Sequence, residues 1–181
     1  MLRKLVSFLS FFKPIPVENG LNIPAYLGTW YQVATSRSTQ FLGTGVDYRN
    51  VTAEYDFSLN ENLGKGVITV FNSGIDGKGN YTSIRGYSYI NGNQNTKRKL
   101  HFDGVPVDGN YWIVYLGPEI NHQYQYAIVS GPITSWFGTR FSLYVLARNI
   151  HDYKTLYETD IRKWCKNNGF IYYWNEYVST I

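Results

Sequence analysis

A single cysteine, Cys165, stands among the 181 residues, so no intrachain disulfide can form and no thiolate cluster can hold a metal. Stability must therefore come from a packed core. Charge is also sparse: Asp, Glu, Lys and Arg make up 17% of the chain and leave a net charge of +4. The densest basic run, Lys97-Arg98-Lys99, lies beside a polar Asn/Gly stretch and reads as a solvated turn. No basic stripe interleaved with aromatics occurs, so nucleic acid is not expected as a partner. Catalytic signatures are missing too: there is no Gly-x-Ser-x-Gly elbow, no P-loop and no His-Glu-x-x-His. His101, His122 and His151 are too dispersed to suggest a metal site. Asp47, Glu54 and Asp56 cluster in sequence, but strand alternation turns Glu54 and Asp56 outward, against a paired acid–base site. The expectation is a protein that is not an enzyme, with no catalytic residues, no metal and no cofactor.

Long apolar runs are absent as well. The longest near the N-terminus, Leu5 to Phe12, is broken by two serines and falls far short of the about 20 residues a membrane-spanning helix needs. Arg3 and Lys4 before it and Lys13-Pro14 after it give the outline of a secretory signal. Three readings of this leader (1–20) remain: a weak signal peptide, a segment in peripheral contact with a membrane, or a stretch packed on the domain that follows (21–181). A secreted or membrane-associated location is favoured slightly over a cytosolic one.

What the chain does have is aromatic side chains, 18% in all, with 17 Tyr, 10 Phe and 5 Trp. Such residues favour pleated, half-buried positions and also suit the wall of a pocket. Short runs rich in Val, Ile, Tyr and Phe recur from Trp30 onward, divided by Gly, Asn and Asp. They predict eight strands, near Thr29–Thr35, Val51–Ser58, Gly66–Ser73, Thr82–Asn91, Lys99–Phe102, Tyr111–Leu116, Tyr124–Ser130 and Phe141–Arg148. Asn60–Gly64, Asp76–Asn80 and Asn91-Gly92-Asn93 supply hairpin turns. The long gap Ser36–Asn50 has the length of a functional loop.

One helix follows the strands, with Asp152 as its expected cap. Tyr153, Leu156, Tyr157, Ile161, Trp164 and Cys165 form its apolar stripe, and Gly169 its stop. Cys165 is then a buried, inert thiol. Ile171–Trp174 reads as a short extra strand. The fold class is all-β: an eight-stranded up-and-down antiparallel barrel, closed to remove its edges, with one C-terminal α-helix packed outside.

Three blocks then carry a family resemblance. Tyr26-Leu27-Gly28-Thr29-Trp30-Tyr31 resembles the first lipocalin block, with its Gly-x-Trp at the start of the first strand. Tyr126–Pro132 resembles the seventh-strand segment, and Leu143–Asn149 resembles the eighth, ending in Arg148. The similarity runs from about Ile23 to Val178 and is closest to the bacterial outer-membrane lipocalin and apolipoprotein D group. It departs from that group in lacking a lipidated cysteine near the N-terminus. The resemblance implies that Trp30 plugs the closed end of the barrel, that Arg148 lies over its ring, and that Gly28 leaves room for the entering chain. These three are structural residues.

If Trp30 points inward, alternation turns Gln32 and Ala34 inward too. The resemblance implies further inward residues at Ala53, Tyr55, Val70, Asn72, Ile84, Phe102, Tyr111, Ile113, Val129 and Tyr144. Together with Ala34 these are the candidate ligand-binding residues. An apolar wall with a few polar handles suits a fatty acid, lysophospholipid, sterol or similar small hydrophobic molecule, bound for transport or storage. Arg37 and Arg140 are placed near the open end, where a solvated role is favoured over contact with a head group. Two rival functions stand beside this one: a lipocalin-fold enzyme acting on a lipid or carotenoid, and a protein-interaction module whose barrel is filled and whose Ser36–Asn50 loop holds the partner.

Overall fold

The computed structural model describes residues 15–37, 39, 48–135 and 138–181. The leader's apolar run and most of the Ser36–Asn50 loop lie outside the described residues. A short helical turn, α1 (Ile23–Tyr26), leads into β1 (Gly28–Ser36). Then come β2 (Arg49–Asn60), β3 (Lys65–Ile75), β4 (Tyr81–Ile90), β5 (Lys97–Phe102) and β6 (Gly109–Leu116). A two-residue hairpin, β7 (Glu119–Ile120) and β8 (Gln123–Tyr124), precedes β9 (Tyr126–Ser135) and β10 (Gly138–Ala147). Each long strand pairs antiparallel with the next, and β10 pairs with β1 to close the barrel. All eight expected strands are present.

The turns form where the sequence supplies the chemistry. Asp76 accepts from the amides of Lys78 and Asn80, both at 2.8 Å, and Gly79 takes the left-handed conformation (φ 88°) that closes the β3–β4 hairpin. At the other end, β1 starts and β10 finishes beside α1, which seals the barrel.

The register of β1 shifts between Gln32 and Ala34, leaving Val33 as an extra residue opposite β10. This bulge reverses the side-chain alternation. Gln32 faces the interior with its partner Leu146, whereas Ala34, paired with Val145, turns outward into a second core. The expected inward Ala34 is thus corrected. Thr180 takes up the bulge by donating its amide to the Val33 carbonyl, and β11 (Tyr177–Ser179) pairs with the end of β1.

That second core lies between the barrel wall and helix α2 (150–167), which is α-helical at Ile150–Asp152, π-helical at Tyr153–Tyr157 and α-helical again at Glu158–Asn167. Its cap is Asn149, whose side chain accepts from the amides of His151 and Asp152. Asp152 makes no capping bond. Asn149 wins because it is the extended residue just before the first turn, the position from which a short side chain reaches those amides. The wider π turn alters the helical phase and leaves Leu156 exposed, while Tyr153, Ile161 and Cys165 are buried against Val33, Ala34, Val114 and Leu143. Gly169 (φ 91°) stops the helix. The residues after it form turns around Asn175 rather than the expected strand at Ile171–Trp174, because their amides and carbonyls are taken locally: Asn175 bonds the amide of Tyr172 and the carbonyl of Gly169. Residues 15–20 lie on the barrel, where Glu18 bonds through its backbone to Ile113 and Thr96 and through its carboxylate to the amide of Leu116.

Candidate functional site

The closed half of the barrel is filled. Trp30 is fully buried and donates its indole N–H to the Tyr26 carbonyl at 2.8 Å. The guanidinium of Arg148 lies 3.7 Å from the Trp30 ring centroid and bonds the carbonyls of Ala25, Leu27, Thr29 and Tyr124. Burial pulls the Arg148 pKa down to about 10, which leaves it charged at neutral pH. Gly28 has φ 95°, and a Cβ there would stand 3.3 Å from an Arg148 guanidinium nitrogen. Gly28, Trp30 and Arg148 thus form one plug.

Above the plug three tyrosine hydroxyls meet. Tyr111 shares one hydrogen bond with Tyr26 at 2.6 Å and another with Tyr55 at 3.0 Å. Desolvation raises all three hydroxyl pKa values, Tyr55 to about 12, so the group is neutral. Arg98 comes from the run read as a solvated turn, yet it is 1% exposed on β5 and points inward toward these tyrosines. Its guanidinium is held by the side-chain and carbonyl oxygens of Ser88 and by the Asn95 carbonyl. The turn reading fails because Lys97–Phe102 is a strand, and alternation sends its even members inside.

Beyond the tyrosines, toward the open end, lies a cavity of about 80 Å³. Strand β1 contributes Gln32, and β2 contributes Val51, Ala53 and Tyr55; Val70 and Asn72 come from β3. Leu100 and Phe102 of β5, Tyr111 of β6 and Tyr144 and Leu146 of β10 complete the lining. Tyr144 is also neutral, its pKa raised to about 12 by burial. None of these side chains is ionic. The Oδ1 atom of Asn72 is enclosed without a hydrogen-bond partner. Gly86 sits across from both Val70 and Phe102. A Cβ on Gly86 would meet the Phe102 ring at 2.8 Å, so this glycine lets that ring lie against the wall.

Of the eleven candidate residues, Ala53, Tyr55, Val70, Asn72, Phe102, Tyr111 and Tyr144 line this cavity. Ile113 and Val129 are buried deeper in the same barrel core. Ile84 shares the face of its partner Asn72 but does not reach the lining. Ala34 is outside, behind the bulge. Val51, Leu100 and Leu146 were not among the candidates, although each stands two residues from one that was, and alternation would have found them.

Arg37 and Arg140 do not line the cavity. Arg37 pairs with Glu176 at 2.9 Å and covers the Tyr173 ring, and Arg140 lies over Trp174. His101 is half-buried on the outer face, where Asp108 accepts from Tyr89 and contacts the His101 ring at 2.9 Å. A larger depression of about 730 Å³ also lies on the outer face, lined in part by Glu54, Asp56, Phe71 and Arg85. Burial pushes the Cys165 thiol up to about 12. Among the described residues no three of His, Cys, Asp and Glu are grouped to hold a metal ion.

An eight-stranded closed barrel with a Trp–Arg plug and an external helix invites comparison with known proteins. Residues 21–172 match the family model described as a lipocalin-like domain. The chain is a lipocalin. It is 28% identical over 158 residues to temperature-induced lipocalin-1 of Arabidopsis thaliana, a match covering 83% of this chain and 75% of that protein. It is 33% identical over 122 residues to the outer membrane lipoprotein Blc of Citrobacter freundii, covering 66% of this lipocalin and 61% of that one. Among solved structures, lobster apocrustacyanin A1 superposes with a TM-score of 0.64 at 18% identity, over 96% of this chain and 92% of that one. The H1 crustacyanin of Homarus americanus gives 0.65 at 20%, over 91% and 81%. At these identities the structural likeness speaks for the fold alone.

Proposed function

We propose that this lipocalin binds one small hydrophobic molecule in the open half of its barrel and serves to carry or store it. The observation that carries this reading is the unfilled, uncharged space above the tyrosine cluster, walled by aliphatic and aromatic side chains from five strands. Such a wall favours apolar matter because each Å² of apolar surface withdrawn from water gains about 25 cal/mol. Ala53 leaves the space open, while Phe102 and Tyr144 border it. A volume of about 80 Å³ holds only a few heavy atoms with the walls as they stand, well below the about 300–1,000 Å³ of sites that enclose drug-sized molecules. A bulkier guest must displace Phe102 or Tyr144.

The test is displacement of an apolar fluorescent probe by long-chain lipids, on the full chain and on Ala53→Phe. The expected result is one displaceable probe per chain, with binding weakened at least tenfold in Ala53→Phe while the fold is kept. No probe binding by a folded protein overturns the proposal and favours the filled-barrel reading, in which the Ser36–Asn50 loop holds a protein partner.

A further inference from the structure

We propose that the cavity selects an uncharged apolar molecule carrying a hydroxyl group over a carboxylate of the same length. This rests on the ligand-binding reading above and goes further, to the chemistry of the ligand's polar end.

Three observations converge. First, among the described residues every polar side chain lining the cavity is an amide or a phenol, from Gln32, Asn72, Tyr55, Tyr111 and Tyr144. A carboxylate placed there loses its water and meets no cation among the described lining side chains, which is costly. The buried guanidinium Arg98 does not line the cavity and gives its donors to the oxygens of Ser88 and Asn95.

Second, the Asn72 Oδ1 acceptor is enclosed and unpartnered. A ligand O–H completes it once the Asn72 amide turns toward the cavity, whereas a carboxylate brings only further acceptors. A hydroxyl serves either orientation of the Asn72 amide, because it both donates and accepts.

Third, the tyrosine group has a proton left over. Tyr26, Tyr111 and Tyr55 carry three O–H protons, and the two hydrogen bonds that join them use two. One remains, and on Tyr55 or Tyr111, which line the cavity, it is placed to donate to a ligand oxygen. The Tyr144 hydroxyl also makes no hydrogen bond to another described residue. The lining thus offers phenol donors and an amide acceptor in one small space, the complement of an alcohol oxygen with its hydrogen.

The experiment compares 1-dodecanol, dodecanoate at pH 8 and dodecyl methyl ether as displacers of the fluorescent probe, on the full chain. The alcohol is expected to bind at least tenfold more tightly than the carboxylate. In Asn72→Leu the alcohol should weaken about tenfold while the ether changes little; Tyr55→Phe gives a second, milder loss confined to the alcohol. Dodecanoate binding as tightly as the alcohol, or an alcohol preference that survives both substitutions, overturns this inference and leaves the ligand-binding reading standing. Failure of all three molecules, with the wild-type protein folded, overturns both.

Discussion

The Arg148 guanidinium covers the Trp30 ring at 3.7 Å while its nitrogens bind four carbonyls, of Ala25 in α1, Leu27 just after it, Thr29 in β1 and Tyr124 in β8. One side chain therefore joins the chain entering the barrel to the chain leaving it. The cation–π contact contributes about 1–2 kcal/mol when desolvated, and each bond to a charged donor about 1.5–3 kcal/mol at most.

Arg148→Ala is expected to lower stability by about 3 kcal/mol, because the carbonyls lose their shared donor. Arg148→Lys keeps the charge but lacks the planar fork and should recover less than half of the loss. Denaturant midpoints of the three proteins decide it, and a lysine variant as stable as wild type contradicts the multi-carbonyl role.

Gly86 faces the Phe102 ring and the His101 carbonyl so closely that an added methyl group collides with both. Gly86→Ala should cost roughly 2–3 kcal/mol, visible in thermal unfolding. Double substitution with Phe102→Leu should recover only part of it, since the clash with the His101 backbone remains.

Burial holds Tyr55 and Tyr144 at about 12, against 10.0 for an ordinary tyrosine. A raised folded-state pKa favours the neutral, folded form below pH 10. The unfolded chain ionises first as pH rises, so this stability is lost between about pH 10 and 12. Each group accounts for roughly 2–3 kcal/mol at 1.36 kcal/mol per unit. Denaturant midpoints should be level up to about pH 9.5 and fall steeply above it. Tyr144→Phe should flatten the fall, and phenolate absorbance should show a delayed class of tyrosines.

Cys165 is 1% exposed on the inner face of α2, and its thiol is pushed up to about 12. A thiol-reactive reagent at pH 8 should modify it only at the rate of unfolding and stoichiometrically in denaturant. Rapid labelling of the folded protein contradicts its placement as an inert core residue.

The architecture was legible in the sequence wherever one signal governed: eight runs of β-formers, strong Asx-Gly turns, and the plug residues Gly28, Trp30 and Arg148. The site was legible along strands of even alternation, as for Ala53 with Tyr55 and Val70 with Asn72. It failed at Ala34 because Val33 bulges, and nothing about Val33 itself announces an extra residue. Arg98 was hidden by its two lysine neighbours, since a run of three basic residues says water unless the strand is already assigned. The capping role of Asn149 turned on where the extended chain ends, a boundary that composition leaves uncertain by a turn.

The most direct measurement of the central claim is an amide chemical-shift titration of the ¹⁵N-labelled chain with 1-dodecanol. The account predicts saturable shifts centred on Ala53, Val70, Asn72, Leu100 and Leu146, with one ligand per chain. Shifts confined to the outer face around Asp56, Phe71 and Arg85, or none up to the solubility limit of the alcohol, contradict it.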